Sequence, residues 1–177
     1  MILTLIVFST GSVCGGLTAS VTVGFIHGLV TANHYPTMDL AGKKQMLARR
    51  YGTASIAALI LAASAHHGVV SPHGLAVIVA LASGAMASSL SFQFYQIPNM
   101  VASVYGEYQS VCLAFLDGVG YTMAAPIWAL VGRIVANPTL GWSGAWVLLA
   151  GLFAVGGAGM LQSLPLVWNQ QDASHNL

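Results

Sequence analysis

Long apolar stretches with almost no charged residues constrain this sequence more than any other feature. Of its 177 residues, 56% are hydrophobic and only 5% are charged, whereas about a quarter of an ordinary soluble domain is charged. A core of this size in water needs a polar and charged shell, which five bases and four acids cannot form. The sequence therefore predicts an all-α integral membrane protein whose outer surface is covered by the lipid bilayer.

Five stretches are long and apolar enough to cross a bilayer, for which a helix needs about 20 residues. They are residues 2–31, 48–65, 72–97, 108–135 and 141–168. We expect a polytopic, multi-pass transmembrane bundle of about five helices over residues 1–168, followed by a cytoplasmic tail at 169–177. An odd number of crossings with the first helix beginning at Met1 also predicts that N-terminal helices are missing from this chain.

The distribution of bases predicts the orientation of the bundle, because cytoplasmic loops are enriched in lysine and arginine. Four of the five bases fall between the first predicted span and the apolar run that begins at Tyr51: Lys43, Lys44, Arg49 and Arg50. This connection is therefore predicted to be a cytoplasmic loop, and five crossings then place the C-terminal tail on the same side.

Small residues recur every four positions along the first predicted span: Gly16, Ser20, Gly24 and Gly28. Residues at this spacing share one face of a helix, and small side chains there let another helix approach closely. The stripe is either a structural packing surface, which is the commoner role, or a sliding contact in a moving bundle. His27 lies beside it and either forms a hydrogen bond between helices, which is the commoner role, or carries a proton.

The fourth span contains an acid near the middle of the bilayer. Asp117 lies roughly 14 Å from the start of the span at 1.5 Å per residue, where a carboxylate is costly and should face protein or water. Tyr121 and Trp128 share its face, so these three residues are candidates for lining a substrate cavity. A hydrogen-bonded structural role for Asp117 is the equal alternative. Pro126 is expected to bend this helix.

Other positions of the third and fourth spans are candidates for cavity lining or for helix packing. Gly118 and Gly132 belong to a stripe of small residues that predicts close packing. Gln93 and Gln96, at the inner end of the third span, either line a polar cavity or hydrogen-bond at a helix interface, which is the commoner role for a single residue of this kind.

Several functional classes lack their residue patterns. The sequence contains no HExxH motif, no glycine-rich phosphate loop and no nucleophile triad within the spans. Cys14 and Cys112 have no ligand spacing around them. We therefore expect no enzyme activity, no metal and no cofactor, and a net charge of +1 predicts no nucleic-acid partner.

The motifs of this chain resemble the C-terminal half of a major facilitator superfamily transporter, most closely the sugar-phosphate or organophosphate antiporter branch. The resemblance covers nearly the whole chain, whose spans would be helices eight to twelve of that family. It is carried by the acid, glycine and two bases at Asp39, Gly42, Lys43 and Lys44, by DGVGY at 117–121 with its Gly-x-Gly pair of Gly118 and Gly120, by AAP at 124–126 with the later Gly132, and by LGWSGAWVLLAG at 140–151.

The resemblance implies half of a major facilitator fold and a fragment of a twelve-helix secondary transporter. Such a protein moves a small solute by alternating access, with a coupling ion or a counter-substrate. The basic segment, with Arg49 and Arg50, would then influence the balance between inward-facing and outward-facing states. The alternative is a membrane scaffold or assembly subunit that transports nothing and packs against partners through its small-residue helix faces.

Overall fold

The structure, a computed structural model, describes residues 13–65 and 71–175, and this part of the chain is all-helical. A backbone surrounded by hydrocarbon must satisfy its own hydrogen bonds, which an α-helix does within a single segment. The five α-helices are α1 (Val13–Ala32), α2 (Leu40–Ala65), α3 (Pro72–Tyr105), α4 (Gln109–Ala136) and α5 (Gly141–His175), and a 3-10 turn (Gly106–Tyr108) joins α3 to α4.

Three helical segments within the described ranges are long and apolar enough to cross a membrane: His73–Gln93, Gly106–Ala136 and Gly141–Pro165. The apolar part of α1, Gly16–Ala32, is shorter, and residues 2–12 of the first predicted span lie outside the described residues. In α2 the apolar run begins only after Arg50, so that residues 51–65 cover roughly 22 Å. Length and composition therefore support three of the five predicted spans.

The basic segment that was predicted to be a loop is helical, so this prediction was wrong. α2 begins at Leu40, directly after Asp39, whose Oδ1 accepts a hydrogen bond of 2.9 Å from the backbone N–H of Gly42. Such an N-cap satisfies a donor that has no partner within the helix. Gly42 leaves room for this cap, because a Cβ atom there would lie 2.8 Å from the same oxygen. All four bases are consequently carried on helical turns.

Two further helices extend beyond the apolar stretches that were predicted to cross the membrane. α3 continues past residue 97 to Tyr105 and stops where Gly106 adopts a φ of 49°, a backbone conformation that favours glycine. α5 continues through the predicted tail to His175. Hydropathy marks where a chain leaves the lipid, whereas a helix ends where its backbone changes conformation.

α1 and α3 run parallel and approach each other through small residues. A Cβ atom on Gly24 would overlap the carbonyl oxygen of Gly84, so the two backbones touch at this point. One turn earlier, the hydroxyl of Ser20 donates a hydrogen bond to the carbonyl oxygen of Ala80. One turn later, a Cβ atom on Gly28 would overlap the backbone of α3. The stripe of small residues on α1, including the buried Gly16, is thus the surface that contacts α3.

α2 and α5 form a second close pair, in antiparallel orientation. A Cβ atom on Gly157 would lie 2.7 Å from the Cβ atom of Tyr51. Towards the other end of the pair, the hydroxyl of Ser143 donates a hydrogen bond of 2.9 Å to the carbonyl oxygen of Ala62. α2 also packs against α3, where Leu61 and Ala82 are buried in a shared apolar cluster. These contacts join α1, α2, α3 and α5 into one body.

α4 lies at the edge of this body. It pairs with α5 through the short turn between them, where Gly141 has a φ of 50° and Ile134 contacts Gly144. Within α4 the only buried residue is Val131. Most of the surface of α4 is therefore uncovered by the rest of the described chain.

The contact between Gly24 and Gly84 predicts a large effect for a single methyl group. Replacing Gly24 with alanine should separate α1 from α3 and destabilise the protein by about 1–3 kcal/mol, the range for overpacking a close contact. The measurement is the thermal unfolding transition in detergent. Gly151→Ala is the matched control, since a Cβ atom there meets nothing within 4 Å. A Gly24→Ala variant as stable as Gly151→Ala would contradict the backbone contact.

Candidate functional site

The candidate cavity residues of α4 lie on a face that the described residues leave open. Asp117 is exposed, and Tyr121 and Trp128 have 80% and 69% of their surface accessible. The three positions lie within about 40° of one another around the helix axis, at 100° per residue. A carboxylate and two amphipathic aromatic rings thus share one surface halfway along α4, where they are free to meet solvent, a solute or another helix.

The glycines of α4 do not make the close packing that their spacing predicts. A Cβ atom added to Gly118, Gly120 or Gly132 would meet nothing within 4 Å. Pro126 lies within the continuous helix and is exposed as well. The described chain supplies no neighbour for these residues, so their small size has no structural explanation from contacts within this part of the protein.

The polar residues of α3 separate into different roles. Ser89 and Ser91 are buried and donate hydrogen bonds to backbone carbonyls, of Ala85 at 3.1 Å and of Phe25 at 3.0 Å respectively. The Nε2 atom of Gln93 is buried and has no hydrogen-bond partner among the described residues. The side chain of Gln96 lies outside the described residues. The buried Nε2 atom of Gln93 therefore makes no hydrogen bond to the open face of α4.

A second concentration of functional groups lies where α1 ends and α2 begins, which we call the basic end. Lys43 is buried, and its Nζ atom lies 5.4 Å from the centroid of the Tyr35 ring. That ring meets Phe92 of α3 edge to face, with centroids 5.4 Å apart and an interplanar angle of 80°. The guanidinium carbon of Arg50 lies 5.5 Å from the Phe92 centroid. Two cations thus flank a pair of aromatic rings at distances suited to cation–π attraction.

Three helices meet at the hydroxyl of Ser88 within this basic end. Arg50 of α2 donates a hydrogen bond of 2.7 Å from Nη1 to the Ser88 Oγ atom, and the Nδ1 atom of His27 on α1 lies 2.9 Å from the same oxygen. His27 therefore makes a hydrogen bond between helices, as expected. No local sequence pattern indicates that Arg50 or Ser88 would join it, because these contacts connect residues 38 and 61 positions apart.

The remaining residues of the basic segment divide between local structure and the surface. Asp39 and Gly42 form the start of α2, as described above. Lys44 and Arg49 are exposed on the same helix. Elsewhere in the described part of the chain, no three His, Cys, Asp or Glu side chains come together as a group that could hold a metal ion.

Burial alters the ionisation of the two buried groups at the start of the basic end. It raises the pKa of the Tyr35 hydroxyl from 10.0 to about 12, and that hydroxyl has no hydrogen-bond partner within the described residues. Burial also lowers the pKa of Lys43, because a charged ammonium loses hydration there. The Tyr35 ring nevertheless lies in a favourable position for the Lys43 cation.

An apolar groove of about 370 Å³ lies between α2 and α3. Its lining side chains are aliphatic apart from one threonine: Thr53, Ile56, Ala57, Ile60, Ile78, Leu81, Ala82 and Ala85. A binding site for a polar solute needs several polar groups that point to one place. This groove suits a hydrocarbon chain instead.

No protein-family model, curated protein sequence or solved structure matches the chain. The resemblance to major facilitator transporters consequently rests on the sequence motifs quoted above. Any functional assignment must be argued from the residues and their arrangement.

The buried hydroxyl of Tyr35 predicts a specific response to substitution and to pH. A buried hydroxyl without a partner destabilises a protein, so Tyr35→Phe should raise the free energy of unfolding by about 1 kcal/mol at neutral pH. Because the pKa of the Tyr35 hydroxyl is higher in the folded protein than in the unfolded chain, the hydroxyl loses its proton at a lower pH when the chain is unfolded. Tyr35 should therefore destabilise the fold by up to about 1.4 kcal/mol per pH unit as the pH rises from 10 to 12.

The measurement is the unfolding transition of both proteins in detergent at neutral pH and between pH 10 and 12. The difference between wild type and Tyr35→Phe should widen over the alkaline range, and contributions that both proteins share cancel. Tyr108→Phe removes an exposed hydroxyl and should leave the neutral-pH transition unchanged. A constant difference at every pH would contradict the burial of the Tyr35 hydroxyl.

Proposed function

We propose that this chain is one helical bundle of a secondary active transporter of the major facilitator type, which moves a small solute across a membrane by alternating access. In such proteins two bundles rock around a binding site near the middle of the bilayer. The transported solute moves together with a coupling ion or in exchange for a counter-substrate. On this proposal the protein is multi-pass, and α1 and α2 cross the membrane in addition to the three apolar segments.

The observation that carries the proposal is the open face of α4. Asp117 lies about 14 Å from the start of a helix that is apolar enough to cross a membrane, yet the described chain does not cover it. A carboxylate facing lipid at that depth costs on the order of 2.5–3.5 kcal/mol on insertion scales. A water-filled cavity, bounded by α4 on one side and by helices that precede this chain on the other, removes that cost and gives the acid a role in binding.

The contrast between α4 and the other helices adds support. α1, α2, α3 and α5 are joined by contacts that tolerate no added methyl group at Gly24, Gly28 or Gly157. A body held together in this way can move as a unit against a second bundle, which alternating access requires. α4, with Tyr121 and Trp128 exposed, borders the space in which a solute would bind.

The second proposed feature concerns α2. Its apolar run is short for a span, but Arg49 and Arg50 sit at one end of it, and long basic side chains extend towards the headgroups while their aliphatic stems stay in the apolar region. The helix as a whole is 26 residues long, which corresponds to roughly 39 Å. α2 can therefore cross a bilayer with its bases at the cytoplasmic surface.

Replacement of Asp117 by asparagine tests the role of the acid. In proteoliposomes we expect Asp117→Asn to lower the initial rate of solute uptake at least tenfold, since asparagine keeps the shape but removes the charge and the exchangeable proton. The assay uses a panel of radiolabelled sugars, organic phosphates, carboxylates and amino acids, with and without a proton gradient. Glu107→Gln is the matched control, because Glu107 lies in the 3-10 turn ahead of α4 and should change uptake less than twofold.

Two results would contradict the proposal. One is that the full protein moves no solute of the panel under any gradient. The other is that Asp117→Asn transports as fast, and with the same dependence on the proton gradient, as Glu107→Gln. The first result would contradict the transport function itself. The second would contradict only the role assigned to the open face of α4.

The alternative function is that of an assembly or scaffold subunit, and the glycines of α4 favour it. Gly118 and Gly132, which lie within about 40° of each other around the helix axis, leave exposed backbone along one side of α4 on which a helix of a partner protein could pack closely. Gly118→Leu would then abolish co-purification of a stoichiometric partner while the protein transports nothing. Uptake by the purified protein alone would exclude this alternative.

A further inference from the structure

The meeting point of α1, α2 and α3 at Ser88 has the properties of an anion-binding site. Ser88 is 7% exposed, and its hydroxyl accepts a hydrogen bond from Arg50. The hydroxyl hydrogen of Ser88 is then available to the Nδ1 atom of His27 at 2.9 Å. In a neutral imidazole with this arrangement, the remaining proton is on Nε2, which becomes a donor. Arg50, which is half-buried, and His27, which is exposed, thus carry further hydrogen-bond donors on either side of one buried hydroxyl.

Arg50 has donors to spare and no anionic partner in the part of the chain that the structure describes. A guanidinium group carries five N–H donors, and the hydrogen bond to Ser88 uses one of them. Its remaining contact is the face of Phe92, which attracts the cation but accepts no strong hydrogen bond. The nearest acid along α2, Asp39, is engaged at the helix N-terminus. A half-buried cation with open donors is stabilised by any anion that can reach it.

The surroundings of this site favour an anion that carries hydrocarbon chains. Ile26 and Val30, each 55% exposed, lie on the side of α1 next to His27. Further bases, Lys44 and Arg49, are exposed on α2 at the same end of the bundle. Arg50 itself lies at the start of the apolar run of α2, where a membrane surface would meet the helix. Phospholipid headgroups and the first carbons of acyl chains occupy this depth.

We propose that Arg50 and His27 bind the phosphate group of an anionic phospholipid, in the leaflet that faces the basic end. The lipid phosphate accepts hydrogen bonds from the guanidinium group and from Nε2 of His27, and an acyl chain lies along Ile26 and Val30. By connecting α1, α2 and α3 through one headgroup, the lipid stabilises the basic end of the bundle. This site is separate from the open face of α4 and does not depend on transport.

The test is lipid binding by the purified full chain, measured by native mass spectrometry and by the melting temperature in detergent with added lipid. At 150 mM salt, phosphatidylglycerol should bind about tenfold more tightly than phosphatidylcholine, which corresponds to about 1.4 kcal/mol for the charged hydrogen bonds. Arg50→Gln and His27→Gln should each remove most of this preference. Arg49→Gln, which removes an exposed base one position away, should leave most of it in place.

Each contrary outcome has a distinct meaning. Equal losses for Arg49→Gln and Arg50→Gln would show diffuse attraction to a charged surface, which contradicts a defined site. Inorganic phosphate that raises the melting temperature as much as phosphatidylglycerol, and competes with it, would show a site for a free anion instead of a lipid. If Arg50→Gln does not fold, the preference for phosphatidylglycerol is measured in His27→Gln and Arg50→Lys instead, because both keep a polar side chain against Ser88. Wild-type preference in both of these variants would overturn the proposal.

Discussion

The close approach of α1 to α3 is the contact on which the rest of the structure depends. At Gly24 and Gly84 the two backbones touch without intervening side chains. Membrane helices gain little from burying apolar surface, since lipid tails are as apolar as leucine, so close van der Waals contact and hydrogen bonds between helices must hold them together. The hydroxyl of Ser20 adds such a bond to a backbone carbonyl on α3. The two helices are parallel, so the next turn of each brings His27, three residues after Gly24, to Ser88, four residues after Gly84.

That register also explains how charged residues come to lie inside the bundle. α2 packs against α3 in the opposite direction, and this brings Arg50 to Ser88 and Phe92. Lys43, two turns earlier on α2, reaches the ring of Tyr35 in the connection between α1 and α2. Burial of a charge is costly unless polar or aromatic partners compensate, and the Ser88 hydroxyl and the rings of Tyr35 and Phe92 are among the groups that do so here. The basic end is thus part of the packed structure of the fold.

Sequence reasoning predicted the parts of the fold that depend on composition and on short periodic patterns. The all-helical class, three of the spans and the small-residue stripe of α1 belong to this group, because apolar length and four-residue spacing are properties of a single segment. Helix ends were predicted poorly, since α2 begins at the cap of Asp39 and α3 ends at the positive φ of Gly106, both outside the apolar runs. The meeting of Arg50, Ser88 and His27 depends on three helices at once, and no local pattern encodes it. For α4 the sequence singled out Asp117, Tyr121 and Trp128, but its expected packing partners are not in the described chain.

The central claim is that the face of α4 with Asp117, Tyr121 and Trp128 meets water and not lipid, and thiol accessibility in proteoliposomes measures this most directly. Single cysteines replace Tyr121 and Trp128 in a protein whose Cys14 and Cys112 are changed to serine. The control positions are Met123 and Leu130, each two residues further along α4 and so about 200° around the helix. All four positions are exposed in the isolated chain. A water-soluble maleimide should label Tyr121→Cys and Trp128→Cys quickly and the other two slowly, since a thiol in lipid does not ionise. Equal rates at all four positions, or faster labelling at Met123→Cys and Leu130→Cys, would contradict the account.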